Sequence, residues 1–199
     1  MTEEHVEGIV LRVTPYKDRH RIVTLFTSQA GMISLLAKKV STPEKMALLS
    51  PFSRIEALYF KKQSDLCLLK DGTLIDGHLF LRDKWSYLET AGKMAQILLH
   101  SQLPGKSSPL LYALFKMCLK QLPQFEDPSS LLLFFYLKLL THEGILSWDD
   151  PSTFPLPCKA EEWELMKEWA KHRLFQPLQN KKSPTALLKL LEKNLRELI

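Results

Sequence analysis

The sequence predicts an α+β protein: a five-stranded barrel over residues 1–80, followed by an all-helical domain over residues 81–199. Three observations predict it. Up to about residue 80, short runs rich in Val, Ile, Thr, Phe and Tyr are separated by turn residues, the signature of short strands. Beyond that point apolar residues recur at helical spacing. The composition, 45% hydrophobic and 25% charged with only 7 glycines in 199 residues, is that of a folded globular chain and excludes disorder or low complexity as the main state.

Taken in order, strands are expected near Gly8–Val13, Arg21–Thr27, Met32–Lys39, Phe52–Phe60 and Leu66–Leu69, with a further piece near Thr73–Gly77. Gln29-Ala30-Gly31 turns the second strand into the third. Pro43 and Pro51 break the stretch between the third and fourth. Asp71-Gly72 signals a hairpin, because both residues tolerate positive φ. So many short strands in so little chain would leave sticky edges unless the sheet closed on itself. An OB-fold is the common barrel of this size, and an SH3-like barrel is the alternative on pattern alone.

Helices are expected over Leu81–Leu103, Pro109–Leu122, Pro128–Glu143, Ala160–Phe175 and Pro184–Ile199. Ser108-Pro109, Asp127-Pro128 and Ser183-Pro184 each set a capping oxygen before a proline at the first helical position. Gly144 stands where a helix ends. The third helix is almost wholly apolar, which makes it central. The stripe Leu187, Leu188, Leu190, Leu191, Leu195 and Leu198 must pack on something, and the chain's own core is the simplest partner. Residues 145–159 read as a loop held by Trp148, Phe154 and prolines.

Several function classes are missing their chemistry. There is no glycine-rich phosphate loop, no G-x-S-x-G and no H-E-x-x-H. The six histidines are dispersed. Cys67, Cys118 and Cys158 form no C-x-x-C pair, which argues against a metal or disulfide framework and for reduced thiols in a cytoplasmic setting. Asp149-Asp150 precede a proline and read as turn formers. No nucleophile meets a base, so an enzyme ranks last and no cofactor is expected. The N-terminus MTEEHVEG is acidic and has no apolar stretch of a secretory signal. The longest apolar run, Leu131–Leu140, is too short to cross a bilayer.

The charge is unevenly placed. The whole chain carries +5. Between positions 17 and 62 lie nine basic residues, Lys17, Arg19, Arg21, Lys38, Lys39, Lys45, Arg54, Lys61 and Lys62, against Asp18, Glu44 and Glu56, a local surplus of six. These cations fall at predicted strand ends and loops, where a small barrel can gather them against phosphates. Tyr16, beside Pro15 and Lys17 in a loop, suits stacking on a base, whereas Phe52 and Phe60 suit the core.

The residues also resemble a known family. GIVLR-x-x-PYK-x-x-x-RIVTLFT (Gly8 to Thr27), Gly31 through Ala37-Lys38, and Leu49-x-Pro51-Phe52 resemble the strand motifs of RecO, the bacterial recombination mediator. Phe135-x-Leu137-Lys138-Leu139-Leu140 with Gly144 resembles the central helix of that family's helical domain. The resemblance implies an N-terminal OB-fold that binds single- and double-stranded DNA, strand annealing, and help in loading RecA together with RecR and the acidic C-terminal tail of single-stranded DNA-binding protein. Taken with the charge count, it puts DNA on Lys17, Arg19, Arg21, Lys38, Lys39 and Lys62, with Lys45, Arg54 and Lys61 secondary and Tyr16 for stacking, and makes Lys120 and Lys138 the contacts for the acidic tail. The four-cysteine zinc motif of many members is absent, with only Cys158 in the corresponding loop, so no metal is expected. Two other readings stay open, a protein-interaction module and an RNA-binding barrel.

Overall fold

The computed structural model describes residues 2–61, 65–154 and 160–171, together with Leu188, Leu191 and Glu192. Five strands, β1 (Thr2–Tyr16), β2 (His20–Thr27), β3 (Gly31–Ala37), β4 (Arg54–Lys61) and β5 (Leu66–Asp76), close into a barrel in the order β1-β2-β3-β5-β4. All pairings are antiparallel except β3 with β5. A helix, α1 (Pro43–Leu48), lies between β3 and β4 in the chain. This is the five-stranded OB arrangement expected from the strand pattern.

The elements follow from local chemistry. Gly31 takes a left-handed φ of 63° at the β2–β3 turn, and a Cβ there would stand 2.2 Å from the Lys106 carbonyl oxygen, so glycine is required twice over. The Thr42 hydroxyl accepts from Lys45 N–H (3.4 Å) and Pro43 opens the first turn of α1, a helix start where the sequence suggested only a break. Asp71-Gly72 is not a hairpin. The two expected pieces are one strand, β5, paired with β4 from Leu68 to Asp76. Gly72 is there for room: a Cβ would press on Leu48 Cδ2 and the Glu56 carbonyl oxygen, both at 3.1 Å.

The barrel core is built from Val10, Val23, Leu25, Leu35, Ile55 and Tyr59. On β2 the residues from Val23 to Thr27 are all buried rather than alternating. The reason is a second cover. Helix α3 (Pro109–Gln121) sets Tyr112 and Phe115 against Phe26, with ring centroids 5.8 and 6.5 Å apart, so both faces of that strand are dry. The compact unit around the barrel therefore comprises residues 1–80 with 101–120, while the change from strand to helical periodicity falls near residue 80.

The second compact unit comprises residues 81–100 and 121–199. Its helices are α2 (Trp85–Ser101), α4 (Ser129–His142) and α5 (Ala160–Lys171). Nine of the fourteen residues of α4 are buried apolars, each worth about 1.5–3 kcal/mol of burial, which makes α4 the centre of its unit. Asp127 accepts from Ser129 N–H at 2.9 Å, and Gly144 takes φ 75° just past the helix end. Asp150 accepts from Ser152 N–H at 2.9 Å, forming a turn as its sequence context indicates. Trp163 of α5 packs on Trp148 and Phe154, with centroids at 5.3 and 6.0 Å. The expected last helix, Pro184–Ile199, lies outside the described residues except for Leu188, Leu191 and Glu192, which are helical, and both leucines are buried.

Candidate nucleic-acid interface

The β1–β2 hairpin turns through Lys17, Asp18 and Arg19, because Tyr16 pairs with His20. Lys17 and Asp18 both adopt left-handed φ, 37° and 44°, and His20 N–H donates to the Lys17 carbonyl at 2.9 Å. Consecutive left-handed residues match the twist of the flanking strands. They also lift the Lys17 and Arg19 side chains off the barrel end, where both are exposed.

The chain leaving β3 is stitched to this hairpin. Val40 N–H donates to the Arg19 carbonyl at 2.7 Å, and Lys39 N–H donates to His20 Nδ1 at 3.1 Å. Arg21 stands opposite Ala37 in the β2–β3 register, and its Nη1 donates to the His20 carbonyl at 2.9 Å. Lys17, Arg19, Arg21, Lys38 and Lys39 thus share one rim of the barrel. None of the five forms an ion pair among the described residues, and Asp18 is the one carboxylate in the hairpin loop. Tyr16, 37% exposed, stands at the same rim with Lys17 Nζ 5.6 Å from its ring centroid.

The other expected cations are placed differently. Lys61 lies 3.3 Å from Glu4, and Arg54 lies 3.8 Å from Glu7. Lys70 and Lys116, which the sequence did not single out, pair with Glu3 (2.7 Å) and Glu7 (4.0 Å). The acidic N-terminal half of β1 thereby neutralises the cations around it. Glu4 also accepts from the Tyr59 hydroxyl at 2.6 Å, and that bond, with Lys61 beside it, holds the Glu4 carboxyl below its ordinary value. Burial, then Glu4, pushes the Tyr59 hydroxyl up. Tyr112 donates to Glu7 at 2.8 Å and is raised in the same way.

Lys45 is exposed on α1 and shares a groove with Lys38. Lys62 lies outside the described residues. Phe52 is buried, whereas Phe60 is half-buried beneath Lys70 Nζ at 5.4 Å. Lys120 is exposed near the end of α3 in the barrel unit. Lys138 belongs to the helical unit, half-buried with its Nζ 5.5 Å from the Phe134 ring, and burial lowers its pKa. Sequence reasoning missed His20. Its role depends on strand register, which places Nδ1 beside the chain leaving β3, and nothing in its sequence context announces that.

Among the described residues, no three His, Cys, Asp or Glu side chains gather as a metal site. Cys67 and Cys118 are free and buried, and burial raises the Cys118 thiol. Cys158 lies outside the described residues. Among those residues no helix is long and apolar enough to cross a membrane.

The chain is similar in sequence to known proteins. The family model for "Recombination protein O N terminal" matches residues 1–78. The DNA repair protein RecO of Chlamydia pneumoniae is 31% identical over 180 residues, covering 89% of this chain and 70% of that protein. Its namesake from Chlamydia trachomatis serovar L2 is 34% identical over 141 residues, 70% of this chain and 58% of that protein. The Bacillus subtilis protein of the same name is 27% identical over 158 residues, 78% of this chain and 60% of that protein. The chain thus spans about three fifths of the length of the last two.

Proposed function

The chain belongs to the RecO family, and on that premise we propose that it is a non-enzymatic DNA-binding recombination mediator whose barrel rim holds the phosphate backbone. One observation carries the reading: five cations, from the β1–β2 hairpin, the start of β2 and the chain leaving β3, lie on that rim without carboxylate partners of their own among the described residues. Phosphate contacts position a nucleic acid without reading sequence, so the rim takes single and double strands alike. Annealing follows from the same charge. Two phosphate backbones repel, and a cationic rim lowers the barrier to their meeting. Tyr16 supplies one stacking face, worth about 1–3 kcal/mol for an exposed base. Lys45, Arg54 and Lys61 are secondary: Lys45 stands apart on α1, and Arg54 and Lys61 each already have a carboxylate partner.

The same premise supports the partners. The chain would work with RecR and with the acidic tail of single-stranded DNA-binding protein in loading RecA, with Lys120 and Lys138 as contacts for the tail. Pull-down of each partner with and without oligonucleotide tests this.

The electrostatic mechanism is tested by titrating a labelled single-stranded oligonucleotide at 50 and 200 mM salt. Five phosphate contacts correspond to a log–log slope of about −3.5, or roughly a 100-fold loss of affinity over that range. Unchanged affinity would refute it. A preference for structured RNA over single-stranded DNA would favour an RNA-binding barrel instead.

A further inference from the structure

Strand β5 has an edge that the barrel does not close. On one side β4 accompanies it as far as Asp76. On the other, β3 pairs with it only at Leu66, Cys67 and Leu68. From Leu69 to Asp76 no strand stands on the β3 side among the described residues. Such an edge presents main-chain donors and acceptors that can template another strand. Leu74 and Ile75 on this stretch are 42% and 39% exposed, large apolar side chains in water.

A groove of about 680 Å³ runs along the edge, between it and the wall formed by α1 and the chain leaving β3, a volume within the range of built binding sites. Its floor is apolar, with Val40, Leu48, Leu49 and Leu69. Its wall carries Lys38 and Lys45, exposed and without ion pairs among the described residues. Among the described residues no aromatic side chain lines it, so a nucleobase has nothing to stack on, and Glu44 and Asp71 interrupt its positive charge, which suits the spaced carboxylates of a peptide better than a continuous phosphate backbone. The Gly72 N–H on this stretch is capped by the Asp71 carboxylate at 2.8 Å, an acceptor that an incoming strand can replace.

We infer that the open edge of β5 receives an extended peptide segment of a partner protein as an added strand, with apolar side chains on the groove floor and acidic ones toward Lys38 and Lys45. Main-chain pairing supplies affinity in this mode, and alternate side chains supply selectivity. Residue pairing in β4–β5 skips Lys70 and Ile75. These irregularities bend the edge and guard it against ready self-pairing.

The test selects a random dodecapeptide phage library on the full chain. Enriched sequences that alternate apolar with acidic residues are expected. One such peptide, fluorescently labelled, should bind at least tenfold more weakly to Lys45→Glu and to Leu74→Pro, whose N–H shares the open side with that of Gly72, and equally well to Lys39→Glu at the nucleic-acid rim. It should slow amide hydrogen exchange across residues 70–76. Should Leu74→Pro unfold by circular dichroism, Lys45→Glu and the exchange measurement decide. The inference falls if no sequence is enriched, if the peptide binds Lys45→Glu as tightly, or if exchange on β5 is unaltered. It falls equally if the chain alone sediments as a dimer held by this edge, or if a photoreactive oligonucleotide crosslinks to Leu74.

Discussion

At the hairpin rim, Lys17, Arg19, Arg21, Lys38 and Lys39 form no ion pair among the described residues, and Asp18 is the one carboxylate of the hairpin loop. Around the N-terminal half of β1, Arg54, Lys61, Lys70 and Lys116 each lie within 4.0 Å of Glu3, Glu4 or Glu7. The two sets have the same chemistry and belong to the same compact unit. They differ in what the neighbouring strand presents. A formal charge becomes available to a polyanion only where the fold leaves it without a local counter-ion, and an exposed ion pair is worth little in stability while still cancelling the field. The rim, five cations against Asp18, therefore carries a surplus of four, the larger part of the six counted along the sequence.

The largest effect that sharpens this contrast comes from reversing the rim. Arg19→Glu, Arg21→Glu, Lys38→Glu and Lys39→Glu together should weaken oligonucleotide binding by about 100-fold or more at 50 mM salt and flatten the salt dependence. Circular dichroism should show the fold intact. Next comes the clamp between the two rim loops. His20→Ala removes the acceptor for Lys39 N–H, costing about 1 kcal/mol or about fivefold in affinity. His20→Asn, which restores an acceptor, should recover part of it.

On the paired side the effects move from binding to stability. Glu4→Gln weakens the acceptor shared by Tyr59 and Lys61, an expected loss of about 1 kcal/mol in urea unfolding at neutral pH. Because Glu4 is held below its ordinary value in the fold, its contribution is complete above the ordinary carboxylate range and disappears as pH falls through the depressed value. The variant should lose less stability than the parent over that acid limb. Smallest of all, Lys61→Glu should change oligonucleotide affinity by about twofold or less. A loss there as large as at the rim would break the comparison.

The barrel was legible because its strands carry β-branched and aromatic runs and its β2–β3 turn carries Gly31. The hairpin half of the rim was legible too, since Lys17, Arg19 and Arg21 are close in sequence. Asp71-Gly72 misled because this dipeptide turns a chain only when the runs on either side pair with each other, whereas here both pair with β4. The short helix at Pro43 was read as a break, since proline serves both purposes and Thr42 decides between them only through its hydroxyl. The pairing of Lys61 with Glu4 and of Arg54 with Glu7 could not be read, because it depends on strand register between residues some fifty positions apart. The helix expected over Pro109–Leu122 could be read from its apolar spacing, but not what it packs against, because its partner Phe26 is more than eighty positions away.

That last helix has a practical corollary for anyone dissecting the molecule. Phe26 is fully buried because Tyr112 and Phe115 lie over it, and the turn at Gly31 is closed by the chain around Lys106. A gene shortened to its first eighty codons would encode strands with a bare aromatic ring on one flank, a fragment prone to clump. A piece that keeps this cover is discontinuous: it joins residues 1–80 to residues 101–120.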